Sequence, residues 1–456
     1  MNNRIRGCSL LLVSAALLGP FAAQGATAWK AGVAKVNITP KESMWMAGYG
    51  SRKRPSEGIR KDIYATALAL QDAGGSPAVL VTFDLEGVER DFSEAVAGRC
   101  LKQFGLSRDR LALNVSHTHS GPVIGGDTPF YLPMQPADVE TMRRYTKDLA
   151  DQTVALVGQA IANLAPATLE FEQGLAGIAV NRRRVRQRSL PGPVDHDVPV
   201  LAVRGASGEL RAIVVGYACH ATSLNDYRIS GDWPGYAKLE IERAHPGAVA
   251  LFVQGCGADA NPLPRYQGTD PALLPYAEAL PQMYGKILAA AVDLVLHSQM
   301  KPLTGPLATV FEIVDLPIRP PTREQLRARQ NAPLDYQRHA ASLLLARLDR
   351  DGKLPDRYPY PVQVWQFGRG LKLIILGGEV VVDYSLRLKG RYGWDTTWVA
   401  GYSNEVVAYI PSLRVLREGG YEGGDANQTL GGPFGEDVEE IIVKKVNDLV
   451  ERTNPR

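Results

Sequence analysis

Leu111-Ala-Leu-Asn-Val-Ser-His117-Thr-His119-Ser-Gly-Pro122 runs an apolar segment of strand character straight into two histidines and a turn. Residues two apart in a strand share a face, but past the strand end His117 and His119 are free to diverge, one toward a metal and one toward a substrate. An isolated His-x-His pair equally suits a buried histidine satisfied by backbone groups, so the rest of the chain has to decide. Arg211-Ala-Ile-Val-Val-Gly-Tyr-Ala-Cys219 is a second apolar run, and it ends on His220. Leu371-Lys-Leu-Ile-Ile-Leu376 is a third, followed by Gly377-Gly378 and Glu379, and Thr397-Trp-Val-Ala-Gly-Tyr402 leads through Ser403-Asn404 to Tyr409. Several hydrophobic strands thus each deliver a metal-capable side chain just beyond their carboxyl ends, where ligand sites collect in sheets with crossover helices. The fold class that follows is α/β, with mixed β-sheets flanked by helices and a metal site at the carboxyl ends of strands.

Composition narrows the function classes. The chain has 456 residues, 45% hydrophobic and 22% charged, with a formal charge of +3, which is ordinary globular protein and too weakly basic for a nucleic-acid binder. Residues 1–26 read as a secretory signal peptide: Arg4 and Arg6, an apolar stretch over 10–18, and small residues Ala23 and Gly25 at a cleavage point. Its removal leaves a mature chain, 27–456, exported to the periplasm or the medium. No later run approaches about 18 uninterrupted apolar residues. The mature chain keeps Cys100, Cys219 and Cys256, an odd number that allows at most one bridge, with the pair Cys219 and Cys256 left open.

Between these landmarks the pattern predicts an opening strand near 31–40, a loop over 44–60, and strands over 63–70 and 78–85 joined by the turn Asp72-Ala-Gly-Gly-Ser-Pro77. Helices are predicted over 92–104, 139–164, 323–349 and 435–452, and over 275–297 with a break near Pro281; a further helix starts near Pro234 and runs to about Ala244. The proline-rich segments 317–321 and 355–361 flank a helical insertion. No internal repeat, P-loop or nucleotide-binding glycine fingerprint stands out, and no linker divides the chain, so 27–456 reads as one domain.

Taken together, Ser116-His-Thr-His-Ser-Gly-Pro122, His220-Ala-Thr-Ser, Ser230-Gly-Asp-x-x-Gly-Tyr236, Gly378-Glu379, Ser403-Asn404 through Tyr409, Tyr421-Glu422 and the early Met46-Ala-Gly-Tyr49 loop resemble the neutral/alkaline ceramidases in order and spacing. The resemblance spans almost the whole mature chain. It implies a Zn²⁺ ion held by His117, His220, Glu379 and Tyr409, and cleavage of the amide of ceramide to a sphingoid base and a fatty acid. It further implies that His119 contacts the substrate carbonyl, that Arg182 lies near the reaction centre, and that Tyr421 stands close by. Such a ligand set suits zinc, whose bound water loses a proton near pH 7; the metal, His119 and Arg182 would stabilise the oxyanion, and His119 or a tyrosine would protonate the leaving nitrogen.

Two departures bear on the substrate. The family carries a serine in a Gly-Asp-x-Ser-Pro-Asn segment, whereas the matching stretch reads Gly257-Ala-Asp-Ala-Asn-Pro262 and no serine occurs between Ser230 and Ser298. Full ceramidases also carry an immunoglobulin-like C-terminal domain, and this sequence stops at the catalytic part. The alternatives are therefore a zinc esterase or amidase acting on a non-lipid substrate, or a metal-binding relative without turnover. Trp45 and Tyr49 are substrate-binding candidates. Met44, Trp45 and Met46 beside Arg52, Lys53 and Arg54 suggest an apolar patch rimmed by cations, suited to peripheral contact with a membrane that presents the lipid or other N-acyl substrate.

Overall fold

A computed structural model describes residues 29–126, 131–265, 272–427 and 430–454; the leader expected over 1–26 lies outside them. Three parallel strand pairs with a crossover helix between their strands organise the molecule. Ala78–Phe83 and Leu111–Val115 are joined through the helix Arg90–Phe104. Leu210–Tyr217 and Val249–Gln254 are joined through Asp232–Ala244, and Leu371–Leu376 and Thr397–Ala400 through Val382–Tyr392. The first two pairs form the opposite edges of a nine-stranded sheet. Between them run the antiparallel strands Asp197–Gly205, Ala165–Leu175, Trp29–Asn37 and Tyr64–Gln71, with the short strand Lys301–Pro302 added to Ala165–Leu175. The third pair belongs to a four-stranded sheet completed by Leu307–Pro317 and Arg357–Phe367.

The two sheets pack face to face, with Trp29, Leu169 and Phe171 from the large one meeting Trp365, Phe367 and Trp398 from the small one. Helices cover both outer faces. Arg90–Phe104 and Pro136–Ala162 lie against one end of the large sheet, Asp232–Ala244 and Leu274–Leu296 against the other, and Val382–Tyr392 and Val438–Thr453 against the small sheet. The result is four layers, α/β/β/α, as the mixed-sheet reading expects. It also explains the near-continuous apolar strands. In Tyr64–Gln71 the leucines Leu68 and Leu70 face the inter-sheet core while Ala65, Ala67 and Ala69 face the helices, so both faces are dry.

Two helix boundaries differ from expectation. The segment over 323–349 is two helices, Arg323–Arg329 and Asp335–Asp351, because Pro333 has no N–H to donate and disfavours helical geometry at Ala332. Conversely, Leu274–Leu296 continues through Pro281, its buried side held by Tyr284, Leu288 and Val292 against the sheet. Pro275–Leu296 is long and apolar enough to cross a membrane by length and composition, and here its apolar side packs on the sheet. The two-helix segment sits between Leu307–Pro317 and Arg357–Phe367, which pair along their whole lengths, so the helices are inserted into a hairpin.

Asn114 gathers the strand ends. Its Oδ1 accepts from Gln254 N (2.9 Å), and its Nδ2 donates to Gly401 O (2.8 Å) and Ser403 Oγ (2.9 Å). One buried amide thus ties both edges of the large sheet to the small sheet. The bridges Asn114 to Ser403, Thr118 to Ala221 and Gly255 to Ala400 lie on the same seam.

Candidate metal centre

All three parallel pairs point their carboxyl ends at one place. Beyond Val115 the chain turns at His117, whose φ of 57° is left-handed, and beyond Tyr217 it reaches His220. His117 Nδ1 donates to Glu86 O (2.7 Å) and His220 Nδ1 to Gly257 O (2.8 Å), which fixes the tautomers and leaves each Nε2 with its lone pair inward. Glu379 follows Gly378, whose φ of +72° and contact with Ala408 O, 2.8 Å from where a Cβ would stand, leave room only for glycine. Its Oε2 lies 3.2 Å from Nε2 of both His117 and His220. Tyr409 is registered opposite Glu379 in a short parallel bridge, and its hydroxyl stands 3.4 Å from His220 Nε2. His119 does not turn away from His117: the two Nε2 atoms are 3.1 Å apart, and the ligand nitrogens of His117, His119 and His220 lie within 4.8 Å of one another.

The charges around this cluster are arranged to keep one net cation welcome. Arg182 Nε donates to Glu422 Oε1 (2.6 Å), one Nη to Tyr409 Oη (3.1 Å), and the other Nη stands 3.3 Å from His220 Nε2. Glu422 also accepts from Arg183 (2.8 Å), so one carboxylate bridges two buried arginines. Tyr421 closes the arrangement, its ring 5.2 Å from that of Tyr409 and 5.5 Å from the Arg182 guanidinium. Burial pushes His220 down to about 4, helped by the Arg182 charge, and pushes His119 well below the usual range, helped by His117 and His220. Burial also acts to lower His117, but the Glu379 carboxylate outweighs it and holds His117 above the usual range. For Glu379 burial is outweighed in turn, and the two histidines hold it well below ordinary carboxylates. One proton shared between His117 and Glu379 satisfies only part of this cluster. A divalent cation could be held by these inward-facing groups, and two imidazoles, a carboxylate and a phenol are donors that zinc accepts.

A cavity of about 590 Å³ opens on these groups, lined by His119, Glu379, Tyr409 and Tyr421 together with Glu86 and apolar side chains such as Leu344 from the inserted helix Asp335–Asp351. That is ample for a lipid-sized or drug-sized molecule. The sequence model described as "Neutral/alkaline non-lysosomal ceramidase, N-terminal" matches residues 29–262, just over half of the chain. The chain belongs to this family. Its curated ceramidase relatives include neutral ceramidase of Pseudomonas aeruginosa, 26% identical over 51% of this chain and 37% of that protein. Neutral ceramidase A of Dictyostelium discoideum is 26% identical over 48% of this chain and 33% of that protein, so the match spans about a third of the relatives' length. The crystal structure of the Pseudomonas aeruginosa neutral ceramidase superposes with a TM-score of 0.73 at 22% identity, covering 95% of this chain and 76% of that one. A structure titled "Ceramidase complexed with C2" gives 0.72 at 19% identity, covering 94% and 76%.

Within this ceramidase fold, the expected residues His117, His119, Arg182, His220, Glu379, Tyr409 and Tyr421 come together around one point. Trp45 does not join them. It is buried beside Met44, Val123 and Met142 in a separate small core and is not among the residues lining the cavity. Tyr49 stands behind the site, its ring edge 4.8 Å from the His119 ring and its hydroxyl on Leu224 O. The expected apolar patch is not at the surface either: Met44, Trp45 and Met46 are buried, and Arg52 is spent inward on the carbonyls of Ala47, His119 and Asp226. Cys219 and Cys256 are both buried and free. The serine-less stretch works through its backbone, with Gly257 O holding His220, Asp259 O accepting from Arg182 N, and Asp259 Oδ1 accepting from Val382 N. Sequence reasoning missed Tyr402, whose ring packs 4.6 Å from His117, and it gave no role to Glu422 or Glu86. Tyr402 was visible as the residue ending a strand; the signal for Glu422 was its place beside Tyr421 between two glycine pairs.

Proposed function

We propose that this protein is an exported, zinc-dependent amidohydrolase of ceramidase type, with residues 27–456 acting as one catalytic domain behind a cleaved leader. The observation that carries the reading is the convergence of inward lone pairs from His117, His220 and Glu379, with Tyr409 beside them, at the floor of a cavity large enough for an acyl chain. His117, His220, Glu379 and Tyr409 are the proposed ligands. When bound, zinc supplies Lewis acidity, polarising an amide carbonyl and easing the deprotonation of water near neutral pH.

The chain's own residues do the rest. His119, kept neutral by burial and by its neighbours, offers one N–H to the carbonyl oxygen as charge develops there. Arg182 is held in one orientation by Glu422, it donates to the Tyr409 hydroxyl, and its charge would stabilise the developing oxyanion. Tyr421 lines the same cavity and is half exposed there, which supports it, beside His119, as the donor of a proton to the departing nitrogen. The C–N bond breaks, the acyl carbon gains the hydroxyl of water, and the nitrogen gains its proton. With no serine in 257–262, water is the nucleophile. Cys256 is no substitute, since burial pushes its thiol far up from the ordinary range.

The experiment is hydrolysis of a fluorescent N-acyl sphingosine by the zinc-loaded chain beside His220→Ala. Turnover that falls at least about a thousandfold in the variant supports the reading. Stoichiometric zinc with no cleavage of that substrate removes the ceramide assignment, and cleavage of a short-chain amide or ester instead selects the non-lipid hydrolase.

A further inference from the structure

Glu86 is a part-buried carboxylate that no hydrogen bond or ion pair reaches among the described residues, whereas the buried acids nearby are paired. Glu405 meets Arg90, Asp84 meets Lys238, Asp195 meets Lys389, and Glu422 meets two arginines. Glu86 lines the cavity beside His119 and Glu379, yet among the described residues no hydrogen bond or ion pair reaches its carboxylate. Its backbone carbonyl is the group that holds His117, so the residue is anchored while its side chain is left to the cavity. The positive groups around it are engaged elsewhere: His117, whose charge acts on Glu86, lies 3.2 Å from Glu379, Arg347, which lines the same cavity, stands 3.7 Å from Asp351, and Arg182 is held by Glu422. A carboxylate at a cavity wall with no partner of its own is open to a cation or strong donor arriving with a ligand. The cavity also carries Leu343, Leu344 and Val407, two of them with large exposed area, so that an apolar chain and a positive head can be satisfied together.

We propose that Glu86 anchors a subsite for the ammonium group of a primary alkylamine. This is the class of molecule released when an N-acyl amide is hydrolysed: the nitrogen takes one proton as the C–N bond breaks, and the free amine takes a second from water to leave as ammonium. The assignment of the amine as product rests on the hydrolase reading above; the subsite itself rests on the cavity. Glu86 then holds the leaving half of the substrate, and free long-chain amines compete for the same place.

The test measures equilibrium binding of dodecylammonium and of dodecanol, below their aggregation limits at pH 7, to the zinc-loaded full chain and to Glu86→Gln. In the unaltered protein the ammonium binds roughly tenfold or more tightly than the alcohol, as a charge-assisted contact requires. In Glu86→Gln that gap closes while dodecanol affinity and zinc stoichiometry stay the same. A gap that survives in the variant, or equal binding in the unaltered protein, overturns the proposal. Should Glu86→Gln fail to fold, salt decides: the preference persists from 20 to 500 mM salt for a contact inside the cavity, and its disappearance overturns the proposal as surface attraction. A chain that splits no amide but shows the Glu86-dependent gap keeps the subsite and loses the hydrolase; amide cleavage without the gap does the reverse.

Discussion

At Gly48 the backbone takes φ +92°, and a Cβ there would stand 2.4 Å from Cγ of the His119 ring. Glycine is required twice over, by conformation and by contact. Gly48→Ala is expected to destabilise the fold by about 1–2 kcal/mol and to lower kcat at least tenfold, with zinc binding kept, because His119 rather than a proposed ligand is displaced. Unchanged kcat in a folded variant would show that His119 is not needed where it stands. Single residues such as His117, His220 and Glu379 were legible because each ends an apolar run. Trp45 misled because local sequence cannot show that Arg52 turns inward to three carbonyls and that 44–47 pack into the interior beside it. His119 misled more mildly. Leaving the strand was expected to let the two rings diverge, but the left-handed turn at His117 keeps both at one point.

At the scale of elements, the seam through Asn114 holds the strand ends in place. Asn114→Leu keeps the volume but strands Gln254 N, while Gly401 O keeps the Ser403 hydroxyl as its donor; one buried orphan costs about 1–3 kcal/mol, so a stability loss of that size, read from the denaturant midpoint at constant slope, is expected. Loss within 0.5 kcal/mol would mean that the sheets are joined by packing alone. The closing helix Val438–Thr453 is tied to the strand Leu307–Pro317 where Glu312 meets Lys445 (2.6 Å) and Arg452. Lys445 first and Arg452 second hold the Glu312 carboxyl below its usual value. A lowered folded pKa gives stability that is present above the unfolded value and lost as pH falls through the folded one. Thermal melts of Glu312→Gln should therefore show a deficit at pH 7, no more than about 1 kcal/mol for so exposed a pair, that begins to shrink below about pH 4 and vanishes once the pH is under the lowered folded value. Helices and strands were mostly legible from periodicity. Pro281 and Pro333 were not, because whether a proline breaks a helix depends on what the flanking turns pack against.

For the whole molecule, the sequence announced a site at strand ends but not how the strands meet. Pairing across 100 residues or more leaves no local trace, so nothing in the runs ending at Val115, Tyr217 and Leu376 says that the first two are opposite edges of one sheet and the third belongs to another. Folding closes that gap and brings the proposed ligands together, so the proposed function makes metal loading and activity one property of the assembled molecule. The most direct measurement is a zinc titration of the chelator-stripped chain, following bound metal and cleavage of an N-acyl amide in the same sample. The account predicts that activity rises in proportion to zinc and stops at one ion per chain, with the melting temperature rising alongside. Amide cleavage by the stripped chain, or one tightly bound zinc with no hydrolysis of any amide or ester, would contradict it.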